Sequence, residues 1–142
     1  LNQADRDFFD TGIFDFLLTL KKQGDHGQAF AYKTCNTEVL AWLVQRVTDT
    51  PLAQLLSERL WQKLGVEEDA YVIVDRIGMA ACGGGMNFTL RDLARVGEML
   101  RLGGVFNGNE ILPEEVVDDI ANGADPKHFA KAGYTTLPGW SY

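Results

Sequence analysis

The residue with the most chemistry in reach is Tyr32, within Gly24-Asp25-His26-Gly27-Gln28-Ala29-Phe30-Ala31-Tyr32-Lys33-Thr34-Cys35-Asn36-Thr37. Two glycines and a run of small and polar residues turn the chain there. Phe30 and Tyr32 alternate with Ala29 and Ala31, so an extended piece would point both aromatics one way. A ring fixed by packing just before a helix can present its hydroxyl to a cleft, where a phenol takes or gives a proton. The same residue can equally be a half-buried structural tyrosine with a satisfied hydroxyl. The other reactive side chains group less well. Cys35 and Cys82 are too few and too far apart for a metal knuckle or a disulfide framework, and read as two buried thiols, with a single disulfide as the alternative. His26 and His128 sit in loops with Gly and Lys, short of a ligand set. Gly83-Gly84-Gly85 implies special dihedrals or close backbone approach to something, or else a bulged strand end. It lacks the Gly-Lys-Ser/Thr ending of a phosphate loop. No metal, nucleotide or other cofactor is expected.

The elements that must position these residues are mostly helical. Residues 13–22 form a short helix with two lysines at its C-terminal end and Gly24 as its stop. A helix starting at Asn36 or Thr37 carries Val39, Leu40, Leu43, Val44 and Val47 at three- and four-residue spacing. Thr50 reads as an N-cap with Pro51 at the first helical position. Leu52, Leu55, Leu56, Leu60 and Leu64 then form a stripe that Gly65 closes. Residues 70–74 are aromatic and β-branched, a strand, and residues 75–78 turn the chain into residues 79–82. Thr89 and Asp92 approximate a capping box before a helix carrying Leu90, Leu93, Ala94, Val96, Gly97 and Leu100. Asn107-Gly108 marks a tight hairpin, and Pro113 opens a helix over 114–120. Beyond Asn122 no period is visible.

The chain's 142 residues are the size of one ordinary domain, and the apolar share of 46% against 23% charged is that of a folded globular protein. Thirteen basic and twenty acidic side chains give a formal charge of −7, which argues against nucleic acid and against an anionic membrane surface. The acids are dispersed, so no acidic tail is implied. No apolar run approaches the roughly 20 residues of a membrane span, and no signal-peptide pattern is visible. A cytoplasmic location is expected over a secreted one.

Phe30-Ala31-Tyr32-Lys33-Thr34-Cys35-Asn36-Thr37-Glu38-Val39-Leu40-Ala41-Trp42-Leu43 resembles the middle motif of the serine β-lactamase-like hydrolases. The nearest branch is that of the esterases and nylon-oligomer (6-aminohexanoate-dimer) hydrolases. The resemblance continues through Leu60-Trp61-Gln62-Lys63-Leu64-Gly65, Gly84-Gly85-Met86-Asn87-Phe88-Thr89-Leu90-Arg91-Asp92-Leu93-Ala94-Arg95-Val96-Gly97 and Ile111-Leu112-Pro113. It implies an enzyme that cleaves a small-molecule amide or ester through an acyl-serine. Tyr32 falls on the catalytic tyrosine of that family. Thr34 replaces an asparagine two residues on, Asn36 matches the next one, and Gly84 and Gly85 fall near the cleft, making these four the implied substrate-binding positions. The implied fold class is mainly α, the helical region of the α/β fold, with one short β-hairpin and the flanking antiparallel sheet absent. Residues 1–142 are then a single partial domain, an internal fragment.

The family's nucleophile lies in a Ser-x-x-Lys motif, which places serine and lysine on one helical face. Here the serines are Ser57 and Ser141 alone, and neither is followed three residues later by lysine. Thr19 and Lys22 have the spacing but stand too close before Tyr32, and Lys131-Ala132-Gly133 lacks the hydroxyl residue of the family's third motif. A non-catalytic binding module on the same scaffold, or a purely structural helical domain, competes with the hydrolase reading. Without a covering sheet, Val39, Leu43 and their neighbours would leave an apolar patch, with self-association or a disordered N-terminus as the consequence. On its own the 142-residue chain is expected to be inactive. A fluorophosphonate or a reactive β-lactam should leave no covalent adduct by intact-protein mass spectrometry; a stoichiometric adduct on Ser57 or Thr19 would overturn this.

Overall fold

Helices carry most of the residues that the computed structural model describes, 10–123 and 125–134. The first, α1, spans Ile13–Thr19, shorter than the sequence suggests. Thr19 turns its hydroxyl back onto the Phe16 carbonyl at 2.7 Å, and Leu20 is already extended, so Lys21 and Lys22 lie beyond the helix. Helix α2, Thr34–Thr48, begins two residues before the expected start, on an extended Lys33, and ends where Asp49 turns left-handed. Thr50 does not cap the next helix. Its hydroxyl goes to the Thr48 carbonyl, and the Leu52 N–H is taken by the side chain of Gln45 at 3.1 Å. That helix runs as α3, Leu52–Leu56, through a π-helical turn, Ser57–Trp61, into α4, Gln62–Leu64, and Gly65 closes it at φ 60°.

The expectation of one short β-hairpin with antiparallel sheet otherwise absent is corrected: the described residues hold two small antiparallel sheets. Strand β1, Tyr71–Val72, pairs with β2, Met86–Asn87, and the Val74–Ala80 bridge extends the contact towards the turn at residues 75–78. The strand was legible, but its partner lies past the three glycines, where no β-branched run announces it. Helix α5, Leu90–Arg101, follows. The hairpin of β3, Val105–Phe106, and β4, Asn109–Glu110, then turns on Asn107 and Gly108, both at positive φ as a primed turn requires. Helix α6, Glu114–Asn122, and α7, Pro126–Lys131, complete the described chain. The last was invisible to periodicity. Its signal is Asp125, whose carboxylate accepts the Lys127 N–H at 2.8 Å, with Pro126 at the first position.

Two apolar clusters hold these elements. Ile13 and Leu17 of α1 pack on Ala81 with Cys35, Val39 and Met79; Trp61, Leu64 and Met99 form the second with Phe88, Val96 and Phe106 around them. The face of α2 that turns inward carries Glu38 and Ala41, while Leu40, Leu43, Val44 and Val47 are exposed among the described residues. Val39, by contrast, packs on the first cluster. No helix among the described residues is long and apolar enough to cross a membrane.

Buried carboxylates join segments distant in sequence. Asp75 accepts the Ile13 N–H at 2.9 Å, supplying the acceptor that Gly12 cannot offer to the start of α1, and takes Ile77 and Met79 N–H groups on its other oxygen. Burial works against its charge, but the three N–H donors outweigh burial and hold its carboxyl below the usual range. Asp92, fully buried, accepts the Glu67 N–H at 3.0 Å, the Thr89 hydroxyl and an Arg95 N–H. The Glu67 N–H and the Thr89 hydroxyl are the main causes of its lowered pKa. A carboxyl held low in the fold stabilises fully above its unfolded pKa of about 3.9, and that contribution is lost as pH falls through the lower folded value. The melting temperature should therefore drop steeply below about pH 4. Asp92→Asn should lower it at pH 7 and flatten that acid limb; an unchanged limb in calorimetry would remove Asp92 from the account.

Candidate functional site

Tyr32 stands immediately before Lys33, the extended residue from which α2 starts, and is 63% exposed. The segment that delivers it is pinned from the far end of the chain. Phe30 stacks on the buried ring of Phe129 at 4.2 Å, meets Tyr134 edge-on at 5.8 Å, and donates its N–H to the His128 carbonyl at 3.1 Å. Phe30 is thus an anchor and Tyr32 is presented outward two residues later. Aromatic pairs of this kind add about 0.5–1.5 kcal/mol beyond the area they bury. Phe129 and Tyr134 gave no functional signal in sequence because the period of α7 is too short to read.

Thr34 is the first residue of α2 and Asn36 the third, both exposed. Of the three glycines, Gly83 lies against this helix start, and the other two have different surroundings. A Cβ on Gly83 would overlap the Thr34 methyl and stand 3.1 Å from the Thr34 carbonyl oxygen and 3.2 Å from Glu38 Oε1. Gly85 has φ +86°, and a side chain there would press on Ile73 at 3.1–3.2 Å. Gly84 is exposed, and among the described residues no heavy atom lies within 4 Å of where its Cβ would be. The fold thus accounts for the missing side chains of Gly83 and Gly85 but leaves that of Gly84 unexplained.

Glu38 ties the two pieces together. It is 4% exposed, and its carboxylate accepts the Gly83 N–H on Oε1 at 2.8 Å and the Cys82 N–H on Oε2 at 3.0 Å. Sequence reasoning passed over it, since an acid between Thr37 and Val39 reads as a solvated helix position. The cysteines are free thiols and half-buried, less enclosed than expected. Burial, and then the charge of Glu38, pushes the Cys82 thiol up to about 11.

The remaining candidates are placed apart. Ser57 sits in the π-helical turn and accepts an N–H from Gln62, Lys22 faces Asp25 beyond α1, and Lys131 ends helix α7 rather than lying on a strand. Ser141 lies outside the described residues. No group of three or more His, Cys, Asp or Glu that could hold a metal occurs among the described residues. An open cleft of about 370 Å³ lies along β1 and β2, lined by Asp69, Tyr71, Met86, Asn87, Phe88 and Thr89; none of the five sequence-derived site residues lines it.

Residues 1–140 match the family model described as Beta-lactamase. A curated 6-aminohexanoate-dimer hydrolase of Paenarthrobacter ureafaciens is 40% identical over 138 residues, 96% of this chain and 35% of that protein. A solved structure named provisionally as a 6-aminohexanoate-dimer hydrolase from Bacillus anthracis superimposes with a TM-score of 0.75 at 38% identity, covering 79% of this chain and 29% of that one. The chain therefore spans about a third of the length of the relatives it matches.

The thiol of Cys82 yields a prediction of its own. With its pKa near 11, only on the order of one thiol in 10⁴ is ionised at pH 7. Alkylation of Cys82 by iodoacetamide, followed by peptide mass spectrometry, should rise about tenfold per pH unit up to about pH 11. A plateau near the pH of about 8.5 typical of a free cysteine would contradict the burial assigned to it.

Proposed function

Because the chain belongs to the Beta-lactamase family, we propose that it forms the tyrosine-bearing wall of a serine hydrolase that cleaves an amide or ester bond through an acyl-serine. The observation that carries this reading is the juxtaposition at the start of α2. An outward tyrosine precedes a helix whose first residue packs against a glycine segment, and that segment leaves Gly84 open to an outside group. The names of the similar proteins support an amide substrate, of the class of a 6-aminohexanoate dimer, ahead of a strained lactam. No metal or nucleotide enters the reaction proposed.

In this reading the nucleophilic serine and its lysine come from chain beyond these 142 residues, since Ser57 and Ser141 have no lysine at the required spacing. The Tyr32 oxygen, as phenolate, accepts the serine proton while Oγ bonds to the substrate carbonyl carbon and the carbonyl electron pair moves to oxygen. Collapse of the tetrahedral species breaks the bond to the leaving amine or alcohol, which takes the proton back from Tyr32. Water then releases the acyl group by the same path in reverse. A phenol near pKa 10 is a weak base at neutral pH, so the neighbouring lysine ammonium must stabilise the phenolate. Thr34 and Asn36 flank the substrate from the helix, and Gly84 and Gly85 offer it main chain.

In the full-length protein, Tyr32→Phe should lower kcat/KM by about 10²–10⁴ while leaving the melting temperature nearly unchanged, since the ring is exposed and only its oxygen is removed. Gly84→Ala should also fold normally and yet lose about tenfold in kcat/KM, since a single methyl placed against bound substrate is worth that much. Normal turnover in Tyr32→Phe would leave Tyr32 a structural residue. Substrate binding without turnover by the full-length protein would favour a binding module on the same scaffold.

A further inference from the structure

Two adjacent main-chain N–H groups, those of Cys82 and Gly83, point into the interior towards one side chain of α2. Groups in that position need an acceptor, because an unsatisfied buried N–H costs about 1–3 kcal/mol. The acceptor is a carboxylate that pairs with no cation among the described residues: each oxygen of Glu38 accepts one main-chain N–H. A buried acid is an expensive choice for packing alone, and Ala41, one turn on, shows that an apolar residue suits this face. What a carboxylate supplies here, and an apolar side chain cannot, is a fixed distance between the helix and the glycine segment. Thr34 completes the fit, filling the space that Gly83 leaves.

We infer that Glu38 is the positioning residue that sets the distance between Tyr32 and Gly84, and so the space left for a substrate between them. The inference rests on the proposed reading of Tyr32 and Gly84 as residues that both meet the substrate. Glu38 itself touches no substrate. Its carboxylate holds Cys82 and Gly83 by two hydrogen bonds, Gly83 is locked against Thr34, and Thr34 lies two residues from Tyr32 on the chain. A shift of the glycine segment by about 1 Å would misplace the substrate carbonyl and can lower the rate by about 10².

The test is Glu38→Gln in the full-length enzyme, which keeps the side chain's shape but leaves only one oxygen to accept two N–H groups. Turnover is measured per folded molecule, well below the variant's own melting temperature. The expected result is a fall of about 10- to 100-fold in kcat with KM changed much less. Amide hydrogen exchange should speed up at Cys82 and Gly83 and stay unchanged at Leu112 and Leu102. Glu38→Asp, which restores the charge one methylene short, should recover part of kcat. Normal kcat in Glu38→Gln, or exchange that speeds up uniformly through the chain, would overturn the positioning role. Should Glu38→Gln fail to fold, Gly83→Ala replaces it. That variant keeps the carboxylate and displaces the segment from Thr34, so normal kcat there would overturn the role equally. A wild-type enzyme that turns over no amide or ester would bring down the functional reading itself. That outcome is separate, because the local exchange difference at Cys82 and Gly83 would persist.

Discussion

A buried carboxylate that accepts main-chain N–H groups from a segment far along the chain is the constraint on which the described architecture hangs. The four strands among the described residues are two residues each, too short for sheet hydrogen bonding to hold distant pieces in register. The joining is done by Asp75 to Ile13, by Asp92 to Glu67 and by Glu38 to Cys82 and Gly83. Each places a negative charge where water is excluded, and each is acceptable only because its lone pairs are filled by N–H or O–H donors. Asp92 also has a cation in contact, Arg95, which reaches Glu67 at 2.6 Å as well.

The same arrangement holds the segments that carry the proposed site residues, although no single element carries them. Tyr32 hangs from a segment anchored by Phe30 on Phe129, and Gly84 hangs from a segment anchored on Glu38. The anchors are buried and the residues they present are exposed, which is the division of labour a reactive surface requires. The open cleft beside β1 and β2 starts one residue after Gly85.

Sequence patterns reached the local features and missed the ones that depend on partners far away. Gly65, Thr89 and the Asn107-Gly108 turn were legible because each is a short-range steric or capping requirement. The apolar stripe of α2 was legible as a stripe, but the face that the fold covers is the one with Glu38 and Ala41. Periodicity ranks faces by hydrophobicity and cannot see that two N–H groups some 45 residues on will demand an acid. Pro51 misled in a similar way. Thr50 has the right chemistry for a cap, yet Gln45 on the preceding helix was nearer to the open N–H. The glycine run could be given no single cause, and the structure gives its members separate ones.

The π-helical turn at Ser57–Trp61 has a consequence for how relatives are read. A π turn holds one residue more than the α turn it replaces, so Trp61 and Leu64 reach the second apolar cluster only with that extra residue in place. A homologue with an unbroken α-helix here will be one residue shorter between positions 57 and 61. An alignment that puts its gap elsewhere will pair inward residues with outward ones over the rest of the helix. The numbering of every proposed site position downstream, Gly84 included, inherits that slip until a later gap restores the phase.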